Sequence, residues 1–285
     1  CFGDQQIFLP HVYRWCRRRR IPFVAYVGTA HSLDSNFKSK VMNALFAAGT
    51  LRIYKKNPVL AKTSAAKEEL RQLGVPHAVI APVGLDNAVL KKNIPADEKM
   101  RLRKEHGFEA DDVILCNVSR LSWEKRPLEL IDLFLQVKGK KKFKLIIVGN
   151  GPLEEELNEK IRKNGLEKEV KIYPNVPYEK MWEIYEMSDY YLNMNKGEIF
   201  GMAIMEAVYY KTSVAAIRAL GPSVTLKDMK GHKLCENDDE MAEWITGPYP
   251  SEKDLQESSE KMAATFTWDR CADAFLQASS EKSSR

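Results

Sequence analysis

Short apolar runs alternate along this chain with segments of helical periodicity. Residues 21–27 (Ile-Pro-Phe-Val-Ala-Tyr-Val) read as a buried strand, residues 59–62 as a second and residues 77–81 as a third. Between the last two, Thr63-Ser64 supplies capping chemistry, a helix follows over 65–73, and Gly74 stops it. Residues 82–86 (Pro82-Val83-Gly84-Leu85-Asp86) form a turn. Residues 87–107 are charged and mostly helical in pattern, with Pro95 inside, and the boundary between two lobes is placed there, near residue 98. Further strands are predicted at 112–118, 144–148, 170–173 and 190–194. Helices are predicted from Pro127 to about residue 137, over 154–164 with Gly165 as the stop, and over 178–187. Pro127 suits a first helical position, where its missing N–H is not needed. Leu128, Ile131 and Leu135 are read as the core face of that helix. Strands and helices alternating at this spacing predict an α/β fold with parallel sheets flanked by helices. In such sheets ligands bind beyond the carboxyl ends of the strands.

At 285 residues the chain is long enough for two domains. With 44% hydrophobic and 29% charged residues it has the profile of a soluble globular protein. No apolar stretch approaches the roughly 18 residues of a membrane helix, and no apolar N-terminal signal segment is visible. The first residue is Cys1 rather than Met, so the chain is expected to be a fragment. Cys1, Cys16, Cys116, Cys235 and Cys271 are scattered without a CxxC pair, which argues against a disulfide framework and a zinc site. A reducing cytosol is the simplest setting. His11, His31, His77, His106 and His232 form no metal-ligand spacing.

The charge is uneven: residues 1–98 carry a basic surplus and the remainder a slight acidic one. The basic half either meets an anionic partner or presents a solvated face. Arg17, Arg18, Arg19 and Arg20, beside Tyr13 and Trp15, read as a solvated helix end. Among partners, an anionic bilayer suits so short a run better than nucleic acid, for which no fold motif is visible.

Three segments carry candidate chemistry, each just after a strand. Ser119-Arg120-Leu121-Ser122-Trp123-Glu124-Lys125-Arg126-Pro127 offers a forked cation in Arg120 and a compact one in Lys125 where a helix begins, a setting suited to a diphosphate. Gly149-Asn150-Gly151-Pro152 is a tight turn. Glu198-Ile199-Phe200-Gly201-Met202 leads into a helix that contains Glu206. Gly201 lets backbone approach a ligand, and the helix points its positive end at an anion. Glu206 is flanked by Ala203, Ile204, Met205, Ala207 and Val208. A carboxylate in so apolar a helix needs a partner, and sugar or ribose hydroxyls would serve.

In this combination and order the chain resembles the family-4 retaining glycosyltransferases of the GT-B fold. Arg120 and Lys125, Gly149-Asn150-Gly151-Pro152, and Glu198-Ile199-Phe200-Gly201 with Glu206-Ala207 carry the resemblance, supported by residues 82–86 and by Phe266-Thr267-Trp268-Asp269 at the start of the last helix. The resemblance implies two Rossmann-like lobes with a cleft between them, and no metal or other cofactor. Residues 1–98 would be an incomplete acceptor-side lobe and 99–265 the donor-binding lobe. Residues 266–285 would be a terminal helix and tail returning toward the first lobe. It further implies a nucleotide-diphosphate sugar, a UDP-sugar being expected, as donor. Arg120 and Lys125 would bind the diphosphate, Glu198 and the backbone around Phe200, Gly201 and Met202 the donor sugar, and Glu206 the ribose. Gly149, Asn150 and Gly151 would border the nucleotide, and His31 would approach the sugar from the first lobe. Two positions depart from the family pattern: Lys211-Thr212-Ser213 replaces its usual Gly-x-Pro, and Pro174 stands where Gly is common.

The expectation is therefore a cytoplasmic hexosyl-transferring enzyme, peripheral at the inner membrane face, that glycosylates a glycan or lipid-linked saccharide. A non-catalytic nucleotide-sugar-binding module is the alternative.

Overall fold

The computed structural model describes residues 8–28, 37–86 and 89–280. They fall into two compact units, one ending at Gly84 and rejoined by the chain from Phe266 onward, the other Leu85–Thr265. Residues 85–97, which the sequence pattern groups with the first lobe, go with the second unit: Leu90 is buried and the Lys91 amide donates to the Tyr210 hydroxyl at 2.9 Å.

The first unit holds a three-stranded parallel sheet, β1 (Ala25–Val27), β2 (Val59–Ala61) and β3 (Val79–Ile80), in that order. Every residue of β1 and β2 is buried. Ala25, Val27, Val59 and Ala61 face Leu9, Phe46, Tyr54 and Leu70, while Val24, Tyr26 and Leu60 pack on Cys271 and Ala278 of the terminal helix Trp268–Ser280. Helices therefore cover both faces, as a parallel sheet requires. Thr63 caps the helix Ser64–Gln72, its Oγ1 accepting from the Ala66 amide at 3.0 Å. The third strand is shorter than the predicted 77–81, and Val79 and Ile80 are exposed because β3 is the sheet edge.

The second unit is a six-stranded, fully parallel sheet: β4 (Val113–Val118), β5 (Phe143–Val148), β6 (Val170–Tyr173), β7 (Tyr190–Asn193), β8 (Ser213–Ile217) and β9 (Lys233–Cys235). The spatial order is β6-β5-β4-β7-β8-β9, a doubly wound arrangement that reverses direction between β4 and β7. The predicted face of the helix Pro127–Val137 packs on the core, with Ile131 buried and Leu128 and Leu135 half-buried against it, and the core side is wider than predicted, taking in Pro127, Leu130, Leu133, Phe134 and Val137. The helix packs on the sheet with the helices Glu154–Lys163 and Asp238–Thr246 on its flanks, so its apolar stripe is wider than one row.

At the amino edge of the sheet one buried cluster ties chain segments together. Arg103, on the helix Glu98–Glu105, donates to the Met187 carbonyl at 2.9 Å, the Asp112 carbonyl at 3.2 Å and Asp189 Oδ2 at 2.6 Å. Asp189 also accepts from the Ile114 amide at 2.8 Å and from Lys99 at 2.9 Å. The Lys211 departure is also legible here. Lys211 follows the helix Met202–Tyr209 with φ 59°, the left-handed position that Gly fills without strain. The Thr212 amide reaches back to the Ala207 carbonyl at 3.0 Å, closing a Schellman-type end. Ser213, in place of Pro, has an amide and donates it to the Asp189 carbonyl at 3.0 Å.

Removing Arg103 leaves the buried Met187 and Asp112 carbonyls without this donor and takes from Asp189 the more buried of its two cations. Arg103→Ala is expected to lower unfolding free energy by about 3–5 kcal/mol, read as a shifted urea midpoint; a change under about 1 kcal/mol, the range of surface pairs, would contradict this reading.

Candidate functional site

The order reverses between β4 and β7, the place where a doubly wound sheet opens a notch beyond its carboxyl ends, and the three sequence-predicted segments follow β4, β5 and β7 on that side. Their mutual fit begins with the turn after β5. A Cβ at Gly149 would lie 1.9 Å from the Ser119 carbonyl oxygen, and one at Gly151 2.4 Å from that of Leu121. Only glycine allows this approach. It lets the Leu121 amide donate to the Asn150 carbonyl at 2.8 Å and the Leu153 amide to the Leu121 carbonyl at 3.0 Å. The Asn150 side chain donates to the Pro174 carbonyl at 3.1 Å, tying in the turn after β6. These glycines hold the Ser119–Arg126 loop against the β5 turn, a structural task beside any contact with a ligand.

That loop presents its cations differently. Arg120 is exposed, and its guanidinium makes no hydrogen bond among the described residues. Lys125 is half-buried and its Nζ donates to Glu198 Oε2 at 2.8 Å. Arg126 takes a left-handed conformation, φ 56°, and grips Asp238 with both terminal nitrogens at 3.0 and 2.8 Å. Arg126 thus anchors the loop, while Lys125 and Arg120 stay at the notch.

Glu198 is embedded in a polar network that follows β7. Asn195 Nδ2 donates to Glu198 Oε2 at 3.1 Å, Asn195 Oδ1 accepts from the Gly197 amide at 2.9 Å, and the Asn195 amide donates to Asn193 Oδ1 at 3.0 Å. Beneath it, Asn117 Nδ2 donates to the Leu192 carbonyl at 2.8 Å, and Ser119 donates to Asn117 Oδ1 at 2.9 Å. Burial pushes the Glu198 carboxyl up, but the Lys125 ammonium and the Asn195 and Asn193 amides outweigh it and hold the group below its usual value. Glu198 is therefore ionised at neutral pH.

Gly201 precedes the helix Met202–Tyr209 with φ 84°, and the half-buried Met202 and Ala203 amides stand at its open start. The buried Phe200 sits just before it. Glu206, one turn in, is only 7% exposed. Its partners are not left to a ligand: Tyr178 donates to Oε1 at 3.0 Å and Tyr185 to Oε2 at 2.7 Å. Burial raises the Glu206 carboxyl above its usual value, and the two phenols only partly offset this. The buried Tyr191, whose hydroxyl donates to the Val118 carbonyl at 3.3 Å, feels the charge of both Glu198 and Glu206.

The structure thus joins Lys125 with Glu198, the Gly149–Gly151 turn with the Ser119–Leu121 backbone, and Glu206 with two tyrosines. His31 lies outside the described residues. Arg17, Arg18, Arg19 and Arg20 are exposed at the end of the helix Leu9–Arg18 in the other unit. Asn117, Asn193, Asn195, Tyr178 and Tyr185 escaped the sequence reading. Asn193 and Asn195 around the end of an apolar strand, and two tyrosines two helical turns apart, were the available signals.

Residues 98–262 match the family model described as glycosyl transferases group 1. A D-inositol 3-phosphate glycosyltransferase of Mycobacterium avium is 26% identical over 92% of this chain and 65% of its own length. The corresponding Mycolicibacterium paratuberculosis protein is covered over 62%, so the chain spans less than two thirds of these relatives. Anabaena HepE in complex with UDP superposes with a TM-score of 0.76 at 19% identity, covering 97% of this chain and 76% of that one. Sucrose-phosphate synthase from Thermosynechococcus elongatus gives 0.74 at 17% identity, covering 93% and 69%. Both likenesses concern the fold, which is GT-B-like with two parallel-sheet units. With a match across more than half of its residues, the chain belongs to the glycosyl transferases group 1 family.

Proposed function

We propose that this protein transfers a hexosyl group from a nucleoside-diphosphate sugar, UDP being the nucleotide, to a glycan or lipid-linked saccharide with retention of configuration. The observation that carries the reading is the notch itself: an exposed Arg120, a Lys125–Glu198 pair and an open helix start gathered at the switch point of a doubly wound sheet. The family and the UDP named with the Anabaena protein support it.

In this reading Arg120, Lys125 and the Met202 and Ala203 amides take the diphosphate, each charge-assisted hydrogen bond contributing roughly 1.5–3 kcal/mol. They are fixed before charge develops on the leaving oxygen, which is the source of their effect. The bond from the anomeric carbon to phosphate breaks as the bond to the acceptor oxygen forms on the same face. The acceptor proton passes to the departing phosphate oxygen. Glu198, ionised, accepts from hydroxyls of the donor sugar and cannot be the proton donor. Glu206 accepts from the ribose, and His31 approaches the sugar. Arg17–Arg20, with Arg19 stacked 4.7 Å over Trp15, make a peripheral contact with an anionic membrane face. No described helix is long and apolar enough to cross a membrane.

Arg120→Ala is expected to lower kcat/KM by roughly 10- to 100-fold, while Arg162→Ala, an exposed control, leaves it unchanged; equal rates in both variants would remove Arg120 from the site. Glu206→Gln is expected to weaken UDP binding by roughly tenfold in calorimetry, and UDP binding without donor turnover would favour a binding module instead. Glu198 makes a pH prediction. Its carboxyl is lowered from 4.5, so its contribution to stability is complete above that value and fades as the pH falls through the lowered one. The melting-temperature gap between wild type and Glu198→Gln should narrow below pH 4.5; a gap that ignores pH would contradict the ionised pair.

A further inference from the structure

Glu206 and its two phenols raise a problem of space. The cavity beside them, lined by Val89, Leu90, Trp182 and Tyr210 as well as the triad, measures about 10 Å³, room for a single water. A ribose cannot enter it as it stands. The two tyrosines differ in freedom. Tyr185 is 1% exposed, lies on the helix Met181–Met187, stacks on Tyr210 at 5.9 Å with rings 10° from parallel, and accepts the Thr212 hydroxyl on its own carbonyl at 2.9 Å. It cannot leave without unpacking the core. Tyr178 is 42% exposed and lies on the single short turn Tyr178–Lys180 after Pro177. Its one hydrogen bond to a side chain is the 3.0 Å contact with Glu206 Oε1.

We propose that Tyr178 is a displaceable stand-in for a nucleotide ribose hydroxyl on Glu206 Oε1, and that Tyr185 is the fixed positioning residue that orients the carboxylate through Oε2. This rests on the assignment of Glu206 to the ribose. A carboxylate offers about four lone-pair sites, and the two phenols use two. Tyr185 holds one oxygen in place from inside the core. The outer oxygen, with Tyr178 swung toward solvent, exchanges a phenol hydroxyl for a ribose hydroxyl. The resting contact keeps a buried carboxylate satisfied when no ligand is bound, which avoids the cost of an orphaned buried acceptor. It also makes Tyr178 a competitor of the ligand, so the same chemical change at the two tyrosines has opposite consequences.

The test is calorimetric titration of UDP and of 2′,3′-dideoxy-UDP into wild type, Tyr178→Phe, Tyr185→Phe and Glu206→Gln. Tyr178→Phe is expected to bind UDP roughly threefold or more tightly, because the competitor is gone, and Tyr185→Phe roughly tenfold more weakly. Neither change should appear with the dideoxy nucleotide, which lacks the hydroxyls in question. A structural role alone would move both variants in one direction and both nucleotides together, and that result overturns the proposal. If Tyr185→Phe fails to fold, the sign of the Tyr178→Phe effect decides, since its ring is half-exposed; unchanged or weakened UDP binding there overturns it. Glu206→Gln separates the two levels. Equal effects on UDP and the dideoxy nucleotide refute the ribose assignment itself, whereas a UDP-specific loss with no opposition between the tyrosines refutes only the stand-in.

Discussion

The direct pairing of β4 with β7 is the constraint on which the rest of the second unit depends. These strands are distant in sequence, yet Leu115 pairs with Tyr190 and Cys116 with Tyr191. Their crossovers leave in opposite directions, and the loops that follow them part instead of covering one another. The pairing is pinned at both ends. At the amino end Asp189 exchanges backbone and side-chain hydrogen bonds with Ile114 while Arg103 and Lys99 neutralise it. At the carboxyl end Asn117 holds the Leu192 carbonyl. A slip of one residue would turn every side chain of β7 to the other face. It would also carry Asn193, Asn195 and Glu198 away from Lys125. Buried polar groups that are fully satisfied specify one arrangement more sharply than apolar packing does.

Much of this was legible in the chain. Apolar runs ending at Ser119, Gly149, Pro174 and Asn193 marked β4, β5, β6 and β7, and Pro127 marked the helix after the first of them. The resemblance to a known family then tied Arg120, Lys125, Glu198 and Glu206 to one chemistry. Contacts that depend on register were not legible. Lys125 and Glu198 are 73 residues apart, and nothing local says that the ammonium pairs with that carboxylate. Gly149 and Gly151 looked like ligand-facing glycines, while the reason only glycine fits is the Ser119–Leu121 backbone. Glu206 was correctly read as a carboxylate in need of partners, but periodicity could not say that Tyr178 and Tyr185 supply them. The elements between residues 211 and 265, β8 and β9 among them, were not read from the sequence.

Glu198 and Glu206 show why the same side chain serves two purposes on one segment. They are close in sequence, yet their environments push them apart. Glu198 has a cation and two amides, which together outweigh burial and keep it ionised. Glu206 has neutral phenols, so burial wins and its carboxyl is raised. Pairs of titratable groups driven in opposite directions are a mark of functional sites. The difference has a physical use where a diphosphate binds. In the proposed reading Glu198 meets the diphosphate with its charge already matched by Lys125.

That matching also limits what the resting pair can do. In the proposed reading, while Lys125 is committed to Glu198, Arg120 and the open amides of Met202 and Ala203 are donors offered to an incoming anion. In the proposed reading a diphosphate, which carries more negative charge than one carboxylate, would compete for the ammonium and draw it from Glu198 toward the leaving oxygen. The carboxylate, still held by Asn195, would then be free as an acceptor for a sugar hydroxyl. The exchanges of partner proposed for Lys125 and for Glu206 follow one logic: an internal group satisfies a buried acidic group until a ligand replaces it. Such a site is paired in both states, which reconciles the low cost of leaving it empty with the strength of the contacts made when it fills.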